Sequence, residues 1–250
     1  MNDLQHLITA FDPITLAEMD DVKLMNRCDT KFAFSGSSLA HVLERLFAEY
    51  RILEVGGLRG TGYRSLYFDT PELTHYHDHH NGRSFRSKVR YREYVGTGLN
   101  FLEVKRRTGR GDTRKKRIAV ERIPEGMSDD HQRFVADLCG RQLDLLPALW
   151  NHYTRLTFVH RERPERLTID RDLSFDAQDG PRTINGLCIA ELKQPGADRR
   201  SPFTEIMRNM GLRPGGLSKY CLGMVLLRPS IKHNAFNEAL RGIHRITSTT

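Results

Sequence analysis

Charged and less polar positions alternate along much of the chain. Arg27, Asp29 and Lys31 alternate with Cys28, Thr30 and Phe32, the period of a strand that sends successive side chains to opposite faces. The same period predicts strands at 63–69, 86–94, 99–107, 114–121, 148–160, 167–170 and 187–193. Helical spacing appears between them. Leu39, Val42, Leu43 and Leu46 form one apolar stripe behind a cap at Ser37 or Ser38. Ser128 opens a second helix carrying Phe134, Val135, Leu138 and Leu143. The first twenty residues read as a weakly amphipathic helix. Short helices are expected at 202–210, 218–227 and 234–241. No internal repeat and no linker rich in Pro, Gly or Ser interrupts the pattern. About eight strands with a few helices predict an α+β chain with an antiparallel sheet or barrel. The expected division is a helical lead-in at 1–24, one domain at 25–228 and a polar tail at 229–250.

The strand faces carry the information. Arg86, Lys88, Arg90 and Arg92 are each two residues apart and share one face, opposite Val89 and Tyr91. Glu103 shares a face with Lys105, Lys115 with Arg117, Tyr153 with Arg155, and Glu191 with Lys193. One such strand is an ordinary half-solvated strand. Several together crowd like charges, which is destabilising across a sheet, unless an anion lies between them. The apolar faces then need helices to cover them. The result is an inside-out barrel with charge facing in, and an eight-stranded barrel has room for one small ligand. Asp29, Glu103 and Glu191 lie on the basic faces. They serve either to neutralise neighbouring bases or to hold Mg²⁺ or Mn²⁺, hard cations that take carboxylate and phosphate oxygens. Glu191, beside Lys193, is the best metal candidate.

Composition narrows the partner. The 250 residues carry a net charge of +8. Residues 83–122 hold fourteen bases and four acids, so this stretch carries +10 and the remainder −2. Such a segment implies an anionic partner: nucleic acid, a membrane surface or phosphate compounds. Aromatic residues do not interleave with the bases as a base-stacking face requires, so nucleic acid is not expected. No apolar run is long enough to span a membrane, and the N-terminus lacks the regions of a signal peptide. The expected location is cytoplasmic, with a membrane partner left open. Cys28, Cys139, Cys188 and Cys221 are far apart, so reduced thiols are expected rather than a zinc site or disulfides.

Three further features are read as structural. His75, His77, His79 and His80, between Pro71 and Asn81-Gly82, are expected in a loop beside the cavity mouth. Gly109-Arg110-Gly111-Asp112 lacks P-loop order and reads as a hairpin turn. Trp150 is expected in the core with Leu145, Leu146 and Leu149.

Taken in order, a series of segments resembles the VTC domain, the polyphosphate polymerase module of the vacuolar transporter chaperone complex. That domain belongs to the triphosphate tunnel metalloenzymes, related to the CYTH proteins. The segments are Arg27-x-Asp29-x-Lys31-Phe32, Tyr67-Phe68-Asp69-Thr70-Pro71 and Arg86-x-Lys88-Val89-Arg90-x-Arg92-x-Tyr94. They continue with Glu103-Val104-Lys105, Lys115-x-Arg117, Tyr153-x-Arg155, Ile169-Asp170-x-Asp172-Leu173, Glu191-x-Lys193 and Ser218-Lys219-Tyr220. The resemblance implies an eight-stranded antiparallel tunnel with flanking helices that binds ATP, triphosphate and polyphosphate. It implies that Lys31, Arg90, Arg92, Lys105, Arg155 and Lys219 grip phosphate oxygens, that Ser218 adds a hydroxyl donor, and that Glu191 holds Mn²⁺ or Mg²⁺. Asp29, Arg86, Lys88, Lys115, Arg117, Tyr153, Arg166 and Lys193 are the further substrate-binding candidates. The implied activity is transfer of the ATP γ-phosphoryl group onto a polyphosphate chain. A triphosphatase in the same tunnel and a non-catalytic polyphosphate-binding subunit are the alternatives. Two positions depart from the related patterns. Arg27 stands where CYTH proteins place an acid, and Gly216 stands where a Lys is usual. Neither the phosphate-sensing SPX domain nor the membrane helices of the eukaryotic complex is expected here.

Overall fold

The computed structural model describes residues 2–21, 28–109, 112–177, 180–196, 198, 200–215 and 218–248. The chain opens with helix α1 (Asn2–Ala10), strand β1 (Pro13–Ile14) and helix α2 (Leu16–Asp21). Then come β2 (Cys28–Ser35), α3 (Leu39–Leu46), β3 (Tyr50–Leu53), β4 (Thr61–Asp69) and α4 (Thr74–His80). A meander of β5 (Arg86–Tyr94), β6 (Leu99–Arg107) and β7 (Thr113–Val120) leads to α5 (Asp129–Cys139). Next are β8 (Leu146–His160), β9 (Arg166–Ala177), β10 (Gly180–Ile184) and β11 (Leu187–Gln194). Helices α6 (Pro202–Asn209), α7 (Lys219–Leu227) and α8 (Asn237–Thr247) finish the chain. Arg27, Gly216 and the turn residues Arg110 and Gly111, each singled out in the sequence, lie outside the described residues.

Eight strands form one antiparallel path in the order β2-β11-β9-β8-β4-β5-β6-β7, with β1, β3 and β10 attached beside it. In this path β2 and β7 are the two edges, so the described ladder curls without joining its ends. Register shifts between Tyr67 and Phe68 and between His152 and Thr154 bend it. Strands β3 and β10, absent from the sequence reading, are short. Their charged and turn residues hide the two-residue period.

Helices cover the convex face. Phe32, Phe34, Leu156, Phe158, Leu167, Ile169 and Leu192 project outward and pack with α1, α3 and α6. On the other half Val89, Tyr91, Leu102 and Val104 pack against α5. Local chemistry sets the helix starts. Ser128 Oγ accepts from His131 N at 3.4 Å, and Ser218 Oγ accepts from Cys221 N at 3.1 Å. Ser38 stands at the N-cap of α3 without a side-chain capping bond, and the bonded cap is Ser35, one short turn earlier. Its Oγ accepts from Ser37 N at 3.3 Å and opens a 3-10 turn, Gly36–Ser38. Helix α5 stops at Cys139, where Gly140 adopts φ +72°, so Leu143 follows the helix.

Three expectations change. The histidine-rich stretch is helix α4, not a loop. The Asp69 carboxylate at the end of β4 accepts from Thr70 N at 2.8 Å, His75 N at 2.7 Å and Tyr76 N at 2.9 Å, and so holds the first turn in place. Trp150 is only half-buried, and Leu146 is 50% exposed. Leu149 on β8 and Leu145 just before it belong to different apolar clusters. Charge also does not fill the whole concave face. Two residues beyond Lys31 and Glu191 on the same faces stand Ala33 and Ile189, paired in register. They join Leu149, Leu187 and Phe175 around helix α7. That helix is apolar on all sides and buried on all sides. Gly223 lets it approach, since a Cβ there would lie 2.4 Å from Phe175 Cδ1. Helix α7 thus fills the apolar half of the barrel and presents its N-terminal residues to the charged half.

Candidate functional site

The charged half encloses a cavity of about 1490 Å³. Twelve basic and three acidic residues line it among the described residues. Two walls face each other.

Strand register builds the first wall. Lys88 lies opposite Lys105, and Lys105 opposite Lys115, so three lysines stand abreast on β5, β6 and β7. The next rung sets Arg90 opposite Glu103 and Glu103 opposite Arg117. Arg90 donates to Glu103 Oε2 through Nε at 2.8 Å and Nη2 at 2.6 Å. Its Nη1 donates to Tyr67 OH at 2.9 Å. Arg92 Nη1 is 3.7 Å from Glu103, while its Nη2 donates to Tyr153 OH at 2.9 Å. Lys115 contacts the other oxygen of Glu103. Arg117 stacks over Phe101, 4.4 Å from its centroid.

The second wall comes from β2, β11, β9 and β8. Lys31 lies opposite Glu191, Glu191 opposite Thr168, and Thr168 opposite Thr157. Lys193 lies opposite Asp29 on one side and Arg166 on the other. Arg155 grips Asp170 from the neighbouring strand. Lys219, the first residue of α7, reaches the same carboxylate and sits 4.6 Å above the Tyr153 ring. Tyr63 completes this corner, stacked on Tyr153 at 5.1 Å and lying under Arg155.

The electrostatics are those of a cation-rich enclosure. Burial pushes the Lys88 ammonium down to about 7, with Lys31, Lys105 and Arg90 adding to the effect. Burial likewise lowers Lys193 to about 8 against the pull of Glu191. The carboxylates move the other way. Burial opposes their charge, yet Arg90, Arg92 and Lys115 hold Glu103 well below the usual carboxylate range. Arg155 and Lys219 do the same for Asp170, as do Lys193 and Lys31 for Glu191.

Most of the residues singled out in the sequence meet here. Lys31, Lys88, Arg90, Arg92, Lys105, Lys115 and Arg117 line the cavity, as do Tyr153, Arg155, Arg166, Glu191, Lys193, Ser218 and Lys219. Ser218 Oγ spends one lone pair on its helix cap and keeps its hydroxyl hydrogen to donate. Two residues stand apart. Asp29 is exposed at the start of β2 beside Lys193 and is not in the lining. Arg86 lies outside the cavity, its Nη1 donating to Arg83 O at 2.8 Å. Asp170, Tyr63 and Tyr67 also build the site, although the sequence assigns them no role there. Parity with Arg166 and Thr168 on one strand signals Asp170. Nothing in an isolated strand signals that Tyr63 and Tyr67 face guanidiniums.

Among the described residues no group of three or more His, Cys, Asp or Glu side chains is placed to hold a metal. The wall carboxylates nonetheless differ. Glu103 and Asp170 are 2% and 3% exposed and bound by several cations. Glu191 is 21% exposed, with Lys193 at 3.6 Å. One ionised, accessible carboxylate suits a hard cation that takes its remaining ligands from phosphate and water, as Mg²⁺ does.

A comparison with curated proteins gives no match. Solved structures with related folds include a candidate adenylyl cyclase from Hippeastrum described as having a dominant triphosphatase activity. It is 16% identical, with a TM-score of 0.49 over 80% of this chain and 95% of that one. Candidate adenylate cyclases from Bacillus halodurans and Vibrio parahaemolyticus are each 13% identical, with TM-scores of 0.48 and 0.46. They cover 78% of this chain and 96% and 97% of their own. The VTC domain family model matches residues 26–228, which takes in both walls and α7, and the chain belongs to that family.

Proposed function

We propose that the protein transfers the γ-phosphoryl group of ATP onto a polyphosphate chain held in this cavity. The observation that supports the reading is the row of Lys88, Lys105 and Lys115 facing the Arg155–Lys219 corner across one enclosure. Lysines abreast repel unless an extended polyanion lies between them. Phosphoryl transfer needs positioning and charge neutralisation more than covalent help. Arg90, Arg92 and Arg155 offer planar forks for phosphate oxygens, and the lysines offer point charges. Fixed by Glu103, Asp170 and the tyrosines, the arginines meet developing charge without reorganising. The acceptor oxygen of a phosphate chain is already ionised, so no general base is required. Glu191 is the residue for Mg²⁺ or Mn²⁺, which when bound would offset charge on adjacent phosphates.

A second reading is hydrolysis of a triphosphate. Helix α7 favours it, because its apolar side chains occupy one half of the barrel and shorten the space for a threaded chain. Purified protein incubated with ATP and either metal, with products resolved by length, separates the readings. Long chains support the polymerase. Free phosphate alone supports the hydrolase. Tight polyphosphate binding without turnover supports a binding module and overturns both.

A further inference from the structure

A second basic site lies outside the barrel. Beyond the ends of β5 and β6, between α4 and α5, is a cleft of about 690 Å³. Its lining includes Arg83, Arg86, Arg106, Arg141, Asp78 and His75. Arg90, Arg92 and Arg155 of the barrel are held by Glu103 and Asp170. In contrast, none of these four arginines has an ion-pair partner among the described residues. Arg86 uses one N–H on Arg83 O, and Arg106 uses one on Leu138 O at 2.7 Å. A guanidinium has five. Register also sets Arg86 directly opposite Arg107, a like-charge pair without an ion-pair partner among the described residues.

His75 provides an independent observation. It is 1% exposed, and neither ring nitrogen has a hydrogen-bond partner. A buried polar group left without a partner is costly, and such groups in a native fold call for an explanation. His75 is among the residues that line the cleft. His79, one helical turn away, also has a buried Nε2 without a partner and lies toward Lys88 and Lys105. Burial keeps the imidazoles from protonating: His79 is lowered to about 2, and His75 is lowered as well.

We propose that this cleft is a second phosphate-binding site, in which Arg83, Arg86, Arg106 and Arg141 surround a phosphoryl group and His75 donates to it from beneath. Multiply charged phosphate fits better than carboxylate, because four arginines line the cleft with a single acid, Asp78. The phosphoryl group has two sources. It is either a free small phosphate or the end of a polyphosphate chain that leaves the barrel past Lys88.

The test is a binding experiment, so its outcome does not depend on turnover or on the proposed reaction. Titrate pyrophosphate and, separately, long-chain polyphosphate into the whole protein. Follow stoichiometry by calorimetry and the His75 ring signals by NMR, assigned with His75→Phe. Repeat with Arg83→Ala/Arg141→Ala, which changes two exposed side chains. A free-phosphate site predicts one more pyrophosphate per chain in the wild type than in the double variant, whatever the barrel binds, with His75 shifting only in the wild type. A chain-end site predicts that His75 shifts with long polyphosphate alone, and that affinity for it falls about tenfold or more in the double variant. Unmoved His75 signals with both ligands, or identical binding by the two proteins, would overturn the proposal.

Discussion

Arg155 holds Asp170 by two parallel hydrogen bonds, Nε to Oδ1 at 2.5 Å and Nη2 to Oδ2 at 2.8 Å. Lys219 adds a third bond to the same carboxylate. Asp170 therefore links β8, β9 and the start of α7 at the corner where the cavity meets its apolar plug. Asp170→Asn would leave two largely buried cations without their acid. The expected loss is about 3–5 kcal/mol, the usual cost of breaking a buried pair from one side. Tripolyphosphate should restore much of it by supplying the missing charge. Thermal melts with and without tripolyphosphate check both halves, and an equal loss in the two conditions would refute the counter-charge role.

The lowered lysines give a pH dependence with a defined sign. Lys88 is held near 7 and Lys193 near 8 in the fold, against about 10.4 in an unfolded chain. Between those values the unfolded chain binds more protons, so the ligand-free protein should gain stability from these groups as pH rises from about 7 toward 10. A polyanion reverses their shift. Its affinity should be highest below about pH 7, fall as pH rises through 7 and 8, and be accompanied by proton uptake. Calorimetry in buffers of different ionisation enthalpy measures that uptake directly. Lys88→Met should reduce it.

Glu191→Ala should abolish metal-dependent turnover while leaving the circular dichroism spectrum and cooperative unfolding intact. Retained metal-dependent synthesis or hydrolysis in this variant would remove the metal assignment.

Asp69 is a junction of a different kind. Besides the α4 amides, it accepts a hydrogen bond from the Tyr220 hydroxyl. This bond ties α7 to the end of β4. Tyr220→Phe removes one donor from a buried carboxylate and should cost about 1–3 kcal/mol in urea unfolding. Lys219 adjoins it, so weaker triphosphate binding should accompany the loss of stability.

Gly223→Ala tests the plug. The new methyl group would meet the Phe175 ring and, at 3.0 Å, Leu149. Overpacking of about 1–3 kcal/mol is expected, although alanine is the better helix former. A more stable variant would show that α7 does not pack as described.

Much of this architecture is legible in the sequence because strand parity is a strong signal. The Arg86–Tyr94 and Leu99–Arg107 strands, and the faces they present, follow from alternation alone. Parity says nothing about where a face changes character along its length. The step from Lys31 to Ala33, and from Glu191 to Ile189, acquires meaning only when α7 is seen against them. The histidine-rich stretch misleads for another reason. Its helix is held by Asp69, a residue before the turn, and composition does not reveal such a distant cap. Arg86 shares its strand face with Lys88 but, at the first position of β5 and paired with Arg107, it lies past the end of the cavity.

Arg90, Arg92 and Arg155 of the cavity are neutralised by carboxylates built into the same chain. An entering polyanion therefore displaces attached acids more than it frees dissolved ions. The entropy that usually drives polyanions onto basic proteins comes from releasing mobile salt, and here much of that reservoir is absent. Affinity should depend on ionic strength less steeply than the cavity's number of bases implies, because Glu103 and Asp170 stay where they are at any salt concentration.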